Sequence, residues 1–352
     1  GPPSQAESEP SQRDMDIAAS IQSVTEEIVL KICTEIARET GQKNLCLAGG
    51  VALNCVANGK LREAGLFENI WVQPAAGDAG GALGAALVCH HMHLQNPRAV
   101  TLGQDRMSGA YLGPDFADQD AASRLQAIGA KFEILSPEER ITRTAQALSE
   151  GKCIGWMNGR MEFGPRALGA RSILADPRRP EMQKQLNLKI KFRESFRPFA
   201  PSVLVEHARD YFDLDSENPY MLFTADVTKA RRHKPETKNE SDSGLARLYA
   251  KRSDIPAVTH IDYSARVQTV DARSNPDFHA LLSAFHDLTD CPVLINTSFN
   301  VRGEPIVCTP EDAFYCFMGT GLDMLVIGNL VLTKDQQNKV LVRDYKDRYE
   351  LD

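Results

Sequence analysis

The sequence predicts an α/β fold, and three observations predict it. Apolar residues at helical spacing alternate with short, continuous apolar runs. Glycine-rich turns follow two of those runs, where an α/β layer turns from strand to helix. The chain is 42 % apolar and 25 % charged, the mixture of a folded globular protein. Its 352 residues suffice for two cores. Two domains are therefore expected: a lead-in at 1–14, a first domain at 15–107 and a second at 108–352, parting near Ser108.

Residues 1–14 mix Pro, Ser, Gln and Glu without periodicity and read as a flexible lead-in. From Met15 to Thr40, Ile17, Ile21, Val24, Ile28, Ile32 and Ile36 draw one apolar stripe down a helix, and Gly41 is placed to end it. Leu45 to Ala48 reads as a buried strand, followed by a helix over 52–64. Ile70-Trp71-Val72 is the next strand, followed by an Ala/Leu-rich helix reaching His91. This αβαβα order predicts largely parallel strands. Between Gln95 and Asp118 the pattern lapses into Pro, Gly and polar residues, which places the boundary. Helices follow at 118–128 and 137–150, with a strand at 153–157. Lys229 to Ser253 is polar and reads as a surface loop, so its run Arg231-Arg232-His233-Lys234 is taken as solvated. The strand Val267 to Val270, a helix at 277–288, the strand Val293-Leu294-Ile295 and a helix from Pro310 complete the reading.

Composition excludes several classes. A net charge of −7 argues against a broad nucleic-acid surface, which needs a surplus of Lys and Arg. The eight cysteines form no CxxC pair, which argues against structural zinc, and several lie in apolar runs as reduced thiols would. No apolar run is long enough to span a bilayer, and the first residues do not resemble a signal peptide. A soluble, cytoplasmic protein without membrane contact is expected.

Two clusters carry candidate chemistry. In the first, the strand Leu45 to Ala48 runs into Gly49-Gly50 and the start of the helix over 52–64. Glycines there let a ligand approach the backbone, and the helix start offers free N–H groups, although a double glycine also marks any tight connection. Ala76-Gly77-Asp78-Ala79-Gly80-Gly81 puts a carboxylate at the same end of the next strand. Asp78 suits either a cation or the cap of the following helix. His90, His91 and His93 do not share a helix face and are not read as a metal cluster.

In the second cluster, Gly159 to Ser172 holds Arg160, Arg166 and Arg171 among glycines. Lys191-Phe192-Arg193 and Arg197 add positive charge nearby. Guanidinium forks grip phosphate and carboxylate oxygens in pairs, so the group suits a polyphosphate. His260 and Arg266 supply a further clamp or an acid/base group, with a structural histidine bonded to Asp262 as the competing account. Asn296, Ser298 and Asn300 follow a strand and present small hydroxyl and amide groups to a sugar or phosphate.

With those segments in hand, the chain resembles the O-carbamoyltransferase family that includes antibiotic-tailoring enzymes and the rhizobial nodulation-factor carbamoyltransferases. The most specific segments are 47–54, 77–81, Glu162 to Gly169 and Asn296 to Asn300. The resemblance implies that 15–107 is part of an actin/sugar-kinase-like lobe and that 108–352 is similar to the enzyme that makes threonylcarbamoyl-adenylate. It implies that carbamoyl phosphate and ATP, with Mg2+, yield carbamoyl-adenylate. The carbamoyl group would then move to a hydroxyl of a small molecule or oligosaccharide.

Lys191-Phe192-Arg193 and Ser298-Phe299-Asn300 resemble the K-x-R and S-x-N signatures of adenylate-forming relatives. Lys191, Arg193, Arg166, Arg171 and Arg197 would hold the phosphates and the carbamoyl group, while Ser298 and Asn300 would place the nucleotide. Gly49, Gly50 and Asn54 would meet the adenylate in the first domain, and Asp78 would bind Fe2+ or another divalent metal. The family's first domain begins with another actin-like lobe bearing a histidine pair, to which nothing here corresponds. A missing lobe or a partner chain is therefore expected, and Asp78 is short of metal ligands. A tRNA threonylcarbamoyl-modifying enzyme and a non-catalytic nucleotide-binding module are the rival readings. Hydrogenase-maturation carbamoyltransferases would be expected to carry CxxC pairs.

Overall fold

The computed structural model describes residues 10–101, 105–234 and 250–341, so most of the 1–14 lead-in lies outside the described residues. Helix α1 (Gln12–Thr40) begins at a capping box, in which Ser11 and Asp14 exchange side-chain and backbone bonds. It ends at Gly41, whose φ of 60° is the left-handed cap. The apolar stripe seen in the sequence is present, but it faces outward: Ile17, Ile21, Val24, Ile28, Ile32 and Ile36 are 38 to 63 % exposed. The inner contacts come from the other side of the helix. There Cys33, with Val29, Leu30 and Ala37, packs on Leu45, Leu61 and Phe67.

Strand β1 (Asn44–Leu47) is followed by a 3₁₀ turn at Gly50–Leu53 and then α2 (Cys55–Glu63). The helix starts later than its sequence suggested, because Asn54 caps it by accepting from the Ala57 N–H at 3.1 Å. Strand β2 (Asn69–Val72) lies parallel to β1 in a two-stranded sheet, with Leu45 opposite Ile70. Helix α3 (Asp78–Val88) runs on into a π turn at Cys89–His93.

The rest of the chain builds a larger layer. In order come α4 (Asp118–Ala127), β3 (Glu133–Ile134), α5 (Pro137–Ser149), β4 (Ile154–Met157), β5 (Arg171–Ala175), α6 (Met182–Leu186), β6 (Ala200–Leu204) and α7 (Ala208–Tyr211). They are followed by β7 (Ala225–Asp226), β8 (Ser264–Ala265), β9 (Gln268–Val270), α8 (Pro276–Thr289), β10 (Val293–Ser298), α9 (Pro310–Gly319), β11 (Met324–Ile327) and β12 (Leu330–Thr333). Eight of these strands form one mixed sheet in the order β3-β12-β11-β4-β5-β10-β6-β9. Within it only β11/β4 and β6/β9 run parallel. Helices α5 and α8 pack on each other, as do α4 and α9. The core holds Trp156, Phe278, Phe285, Phe299, Phe314 and Phe317, all fully buried.

The first segment is tied to this layer through α2. Asn58, itself buried, donates to the carbonyls of Ala52 and Leu222 at 2.8 and 3.0 Å, and Arg62 donates to that of Thr224 at 2.9 Å. Gly59 permits the approach, since a Cβ there would stand 2.4 Å from the Thr224 hydroxyl. In the basic run, Arg231 and His233 pair with Asp254, and Arg232 pairs with Asp226. The remainder of that expected loop, 235–249, lies outside the described residues. Among the described residues no helix is long and apolar enough to cross a membrane.

Candidate active site

The site is built around the end of one strand and the end of one helix. Central strand β10 runs antiparallel to both β5 and β6 and delivers Ser298 at its tip. The chain turns there because Phe299 is anchored: it is fully buried, and its N–H donates to the Arg171 carbonyl at 3.0 Å. Helix α6 widens into a π turn, Asn187–Lys191, and Phe192 closes it in the left-handed region at φ 48°. Lys191 is thereby pointed at the strand tip. Its Nζ donates to Ser298 and Asn300, reaching the Ser298 Oγ at 3.1 Å, the Asn300 carbonyl at 2.9 Å and the Asn300 Oδ1 at 2.8 Å. Ser298 Oγ in turn donates to Asn300 Oδ1 at 2.7 Å, and the Asn300 amide donates to the Glu304 carbonyl.

Lys191, Arg193, Arg197, Ser298, Asn300 and Arg302 line one hollow of about 420 Å³. Glu304 is at its wall and receives the Val301 N–H at 2.8 Å. Glu194 holds Arg197 at 2.9 Å and lies 3.8 Å from Arg302. Burial, reinforced by Arg193, pushes the Lys191 ammonium down to about 7. Burial and the neighbouring Arg197 push Arg193 down to about 10. Four cationic side chains facing the two carboxylates of Glu194 and Glu304 leave a positive balance that suits an anionic guest.

Three residues that sequence reasoning missed hold this arrangement. Asn187 and Gln183 are four apart and share one helix face. Asn187 donates to the Ser195 and Arg197 carbonyls at 3.1 and 2.9 Å, and Gln183 donates to those of Phe196 and Arg197. The sequence signal was a pair of buried-side amides just ahead of a basic turn, which helical spacing alone did not single out. Glu162 is the third. Buried in the glycine-arginine segment, its Oε1 accepts the N–H groups of Leu168 at 2.6 Å and Ala170 at 2.8 Å.

The three arginines of that segment part ways. Arg160 donates to the Leu112 carbonyl, and Arg171 is wholly buried, donating to the carbonyls of Gly159, Ala170 and Pro114. Arg171 thus stays out of the Lys191 hollow and braces the loop beside it. Arg166 donates to the Leu53 carbonyl at 2.9 Å and so reaches the first cluster. Gly164, at φ 136°, packs against the turn after β2, where a Cβ would stand 3.0 Å from the Pro74 carbonyl. Arg266 lies within electrostatic reach of Arg166 and Arg193. It makes no hydrogen bond or ion pair with a described residue, and burial together with Arg166 and then Arg193 pushes it down to about 10.

The other candidates have more modest settings. His260 Nδ1 lies 3.0 Å from Ser264 Oγ, which donates to Asp262, so the histidine reaches the carboxylate through a hydroxyl; burial lowers its pKa. Asn296 is buried beneath the strand tip, where its amide donates to Ser202 and Gln268 and its Oδ1 has no partner among the described residues. Gly49, at φ 98°, donates to the Ala76 carbonyl at 2.8 Å and binds the two glycine turns together, while space above Gly49 and Gly50 is open. Asn54 is engaged by the helix cap and by Gln22 at 2.9 Å. Asp78 stands in the first turn of α3. Among the described residues no three His, Cys, Asp or Glu side chains come together as ligands, so the residues present do not fit a bound iron. His90 and His91 pack ring against ring at 4.8 Å.

Comparison with known proteins places this geometry. The family description "Carbamoyltransferase C-terminus" matches residues 145–334, and "Carbamoyltransferase N-terminus" matches 3–87. The uncharacterized protein sll1178 of Synechocystis is 54 % identical over 98 % of this chain and 57 % of its own length. Nodulation protein NolO of Bradyrhizobium diazoefficiens is 41 % identical over 92 % of this chain and 55 % of its own. A full-length HypF structure in the phosphate- and nucleotide-bound form has a TM-score of 0.32 at 18 % identity, covering 57 % of this chain and 22 % of that one, a likeness too slight to carry an argument. The chain thus spans little more than half the length of the curated relatives it matches. On the strength of the match over 145–334, which contains both Lys191 and Ser298, the chain belongs to the carbamoyltransferase family.

Proposed function

We propose that this chain carries the carbamoyl-activating part of an ATP-dependent O-carbamoyltransferase. Carbamoyl phosphate, water and Mg2+-ATP yield carbamoyl-adenylate, phosphate and pyrophosphate. An acceptor hydroxyl then takes the carbamoyl group and releases AMP and a proton. Residues 108–352 would be the adenylate-forming domain, similar to threonylcarbamoyl-adenylate synthases, and 15–107 part of an actin/sugar-kinase-like transfer domain.

The single observation that carries this reading is the meeting of Lys191 with Ser298 and Asn300 in one cation-lined hollow. Both co-substrates are anions, and their mutual repulsion must be neutralised before a carbamate oxygen can approach the α-phosphorus. Lys191, Arg193, Arg197 and Arg302 supply that charge, and Ser298 and Asn300 fix the lysine. From this hollow, Arg193, Arg266 and Arg166 lead toward the Leu53 turn, where the open backbone of Gly49 and Gly50 suits the adenylate. The acceptor is a small molecule or oligosaccharide with a free hydroxyl.

The test is carbamoyl-phosphate-dependent exchange of labelled pyrophosphate into ATP by the purified chain. Exchange should occur and should fall at least about a hundredfold in Lys191→Ala. Its absence from the unaltered chain would overturn the reading, and undiminished exchange in the variant would remove the lysine from the chemistry.

A further inference from the structure

A carboxylate in the wall of an anion-binding hollow opposes the guest that the cations around it attract. Glu304 is such a group: only 7 % exposed, it lines the hollow together with Lys191. Its bonds make it the clasp of the turn that leaves β10. Glu304 Oε2 accepts the Val301 N–H at 2.8 Å, its own N–H donates to the Val301 carbonyl at 3.3 Å, and its carbonyl accepts the Asn300 amide at 2.6 Å. Gly303, in the left-handed region at φ 75°, lets the chain reverse there. With its amide nitrogen engaged by Glu304, Asn300 turns Oδ1 toward Lys191, 2.8 Å from Nζ. The Arg302 N–H donates to the Lys191 carbonyl at 3.2 Å, so the same turn holds the lysine at both its backbone and its side chain.

Helix α9 supports the carboxylate from behind. Cys316, fully buried on that helix, is hydrogen-bonded to Glu304. Burial and the charge of Glu304 push the thiol well above its ordinary 9.0, so it stays protonated and donates. Of the two carboxylates at the hollow, Glu194 is engaged with Arg197 and lies near Arg302, whereas Glu304 acts on Lys191. Burial and Arg193 work against the lysine's charge, and Glu304, with Cys316 beside it, works for it. We infer that Glu304 is a positioning residue of this site: its main chain aims Asn300 at Lys191, and its side chain, braced by Cys316, supplies the ammonium's counter-charge. A lysine crowded by guanidiniums is thereby kept ready for the anion, at the cost of some repulsion when the anion arrives. The inference rests on the carbamoyl-activating reading for its effect on turnover, and on the geometry alone for its effect on anion binding.

The experiment compares the purified chain with its E304Q and E304D variants. Glutamine keeps the shape of the clasp and removes its charge; aspartate keeps the charge and shortens the reach to the Val301 N–H. Binding of inorganic pyrophosphate is measured by calorimetry from pH 6 to 9, the ionisation of the probe being common to all three proteins. In E304Q, binding at pH 6 should tighten by about threefold, and the alkaline fall in affinity should begin about half a pH unit lower, because Lys191 has lost its counter-charge. In E304D the alkaline fall should stay where it is, while carbamoyl-phosphate-dependent pyrophosphate exchange slows by about tenfold, because Asn300 and Lys191 are no longer aligned. An alkaline fall unmoved in E304Q would overturn the proposal, as would equal losses of binding and exchange in both variants, which mark the turn as structural alone. Melting temperatures report whether each variant folds. Should glutamine unfold the chain, aspartate decides, since a displaced alkaline fall there would overturn the proposal. Absence of exchange in the unaltered chain would sink the carbamoyl-activating reading and leave pyrophosphate binding to judge Glu304.

Discussion

Asn187 Oδ1 accepts a 2.7 Å hydrogen bond from Arg193 Nε, while the amide nitrogen of the same side chain donates to the carbonyls of Ser195 and Arg197. One wholly buried amide therefore sets both the guanidinium that lines the hollow and the loop that carries the next one. Ring contact helps, because the Arg193 guanidinium also lies 5.1 Å from the centroid of Phe199.

Replacing Asn187 with Ala should accordingly damage stability and binding together. Three hydrogen bonds are lost, and the Ser195 carbonyl loses this donor while that of Arg197 keeps Gln183, which costs about 1 to 3 kcal/mol. Affinity for ATP should fall by about tenfold, because Arg193 and Arg197 lose their fixed positions. Urea midpoints and calorimetric titration check the two effects. A variant that loses stability while binding ATP normally would show that the loop is held by other contacts.

Lys191 gives a pH dependence whose sign can be worked out. Burial and Arg193 push its ammonium down to about 7, below its ordinary 10.5. Between those values the unfolded chain holds the proton and the native chain does not, so this group's contribution to stability rises with pH across that window and is least below 7. Anion binding works the other way, since a phosphate nearby favours the charged lysine. Affinity for ATP should then weaken as pH climbs above about 7, by up to tenfold per unit. Titrations from pH 6 to 9 in buffers of different ionisation enthalpy would also register the proton uptake. A flat profile, or the same slope in Lys191→Met, would assign the effect elsewhere.

Parts of this arrangement were legible in the sequence and parts were not, for physical reasons. Lys191 and Ser298 are 107 residues apart, yet each sits in a short segment whose composition already implied an anion site. Strand β10 was recognisable from its continuous apolar start, Val293 to Ile295. Strands β5 and β6 escaped notice because Arg171, Ser172, Pro201 and Ser202 interrupt their apolar runs; buried partners, not local pattern, make them strands. The fate of Arg171 was hidden for the same reason, since an arginine that solvates loop carbonyls has the same local sequence as one that grips phosphate. Helix α1 shows the limit of periodicity. It has apolar residues on two faces, and the more regular stripe is the one that faces outward.

Arg266 separates stability from function most sharply. It is held near Arg166 and Arg193 without a hydrogen-bonding partner among the described residues, so its charge is desolvated and repelled. Arg266→Met keeps most of the side-chain volume and removes the charge. The folded state should gain about 1 kcal/mol, because relieving a partly buried cation that repels its neighbours more than offsets any packing lost. Adenylate formation should meanwhile slow by about tenfold or more, since the positive path between the Lys191 hollow and the Leu53 turn is broken. Chemical denaturation measures the first change and pyrophosphate exchange the second. A variant that is less stable and equally active would mean that the guanidinium serves the fold, and that the three arginines do not form one anion path.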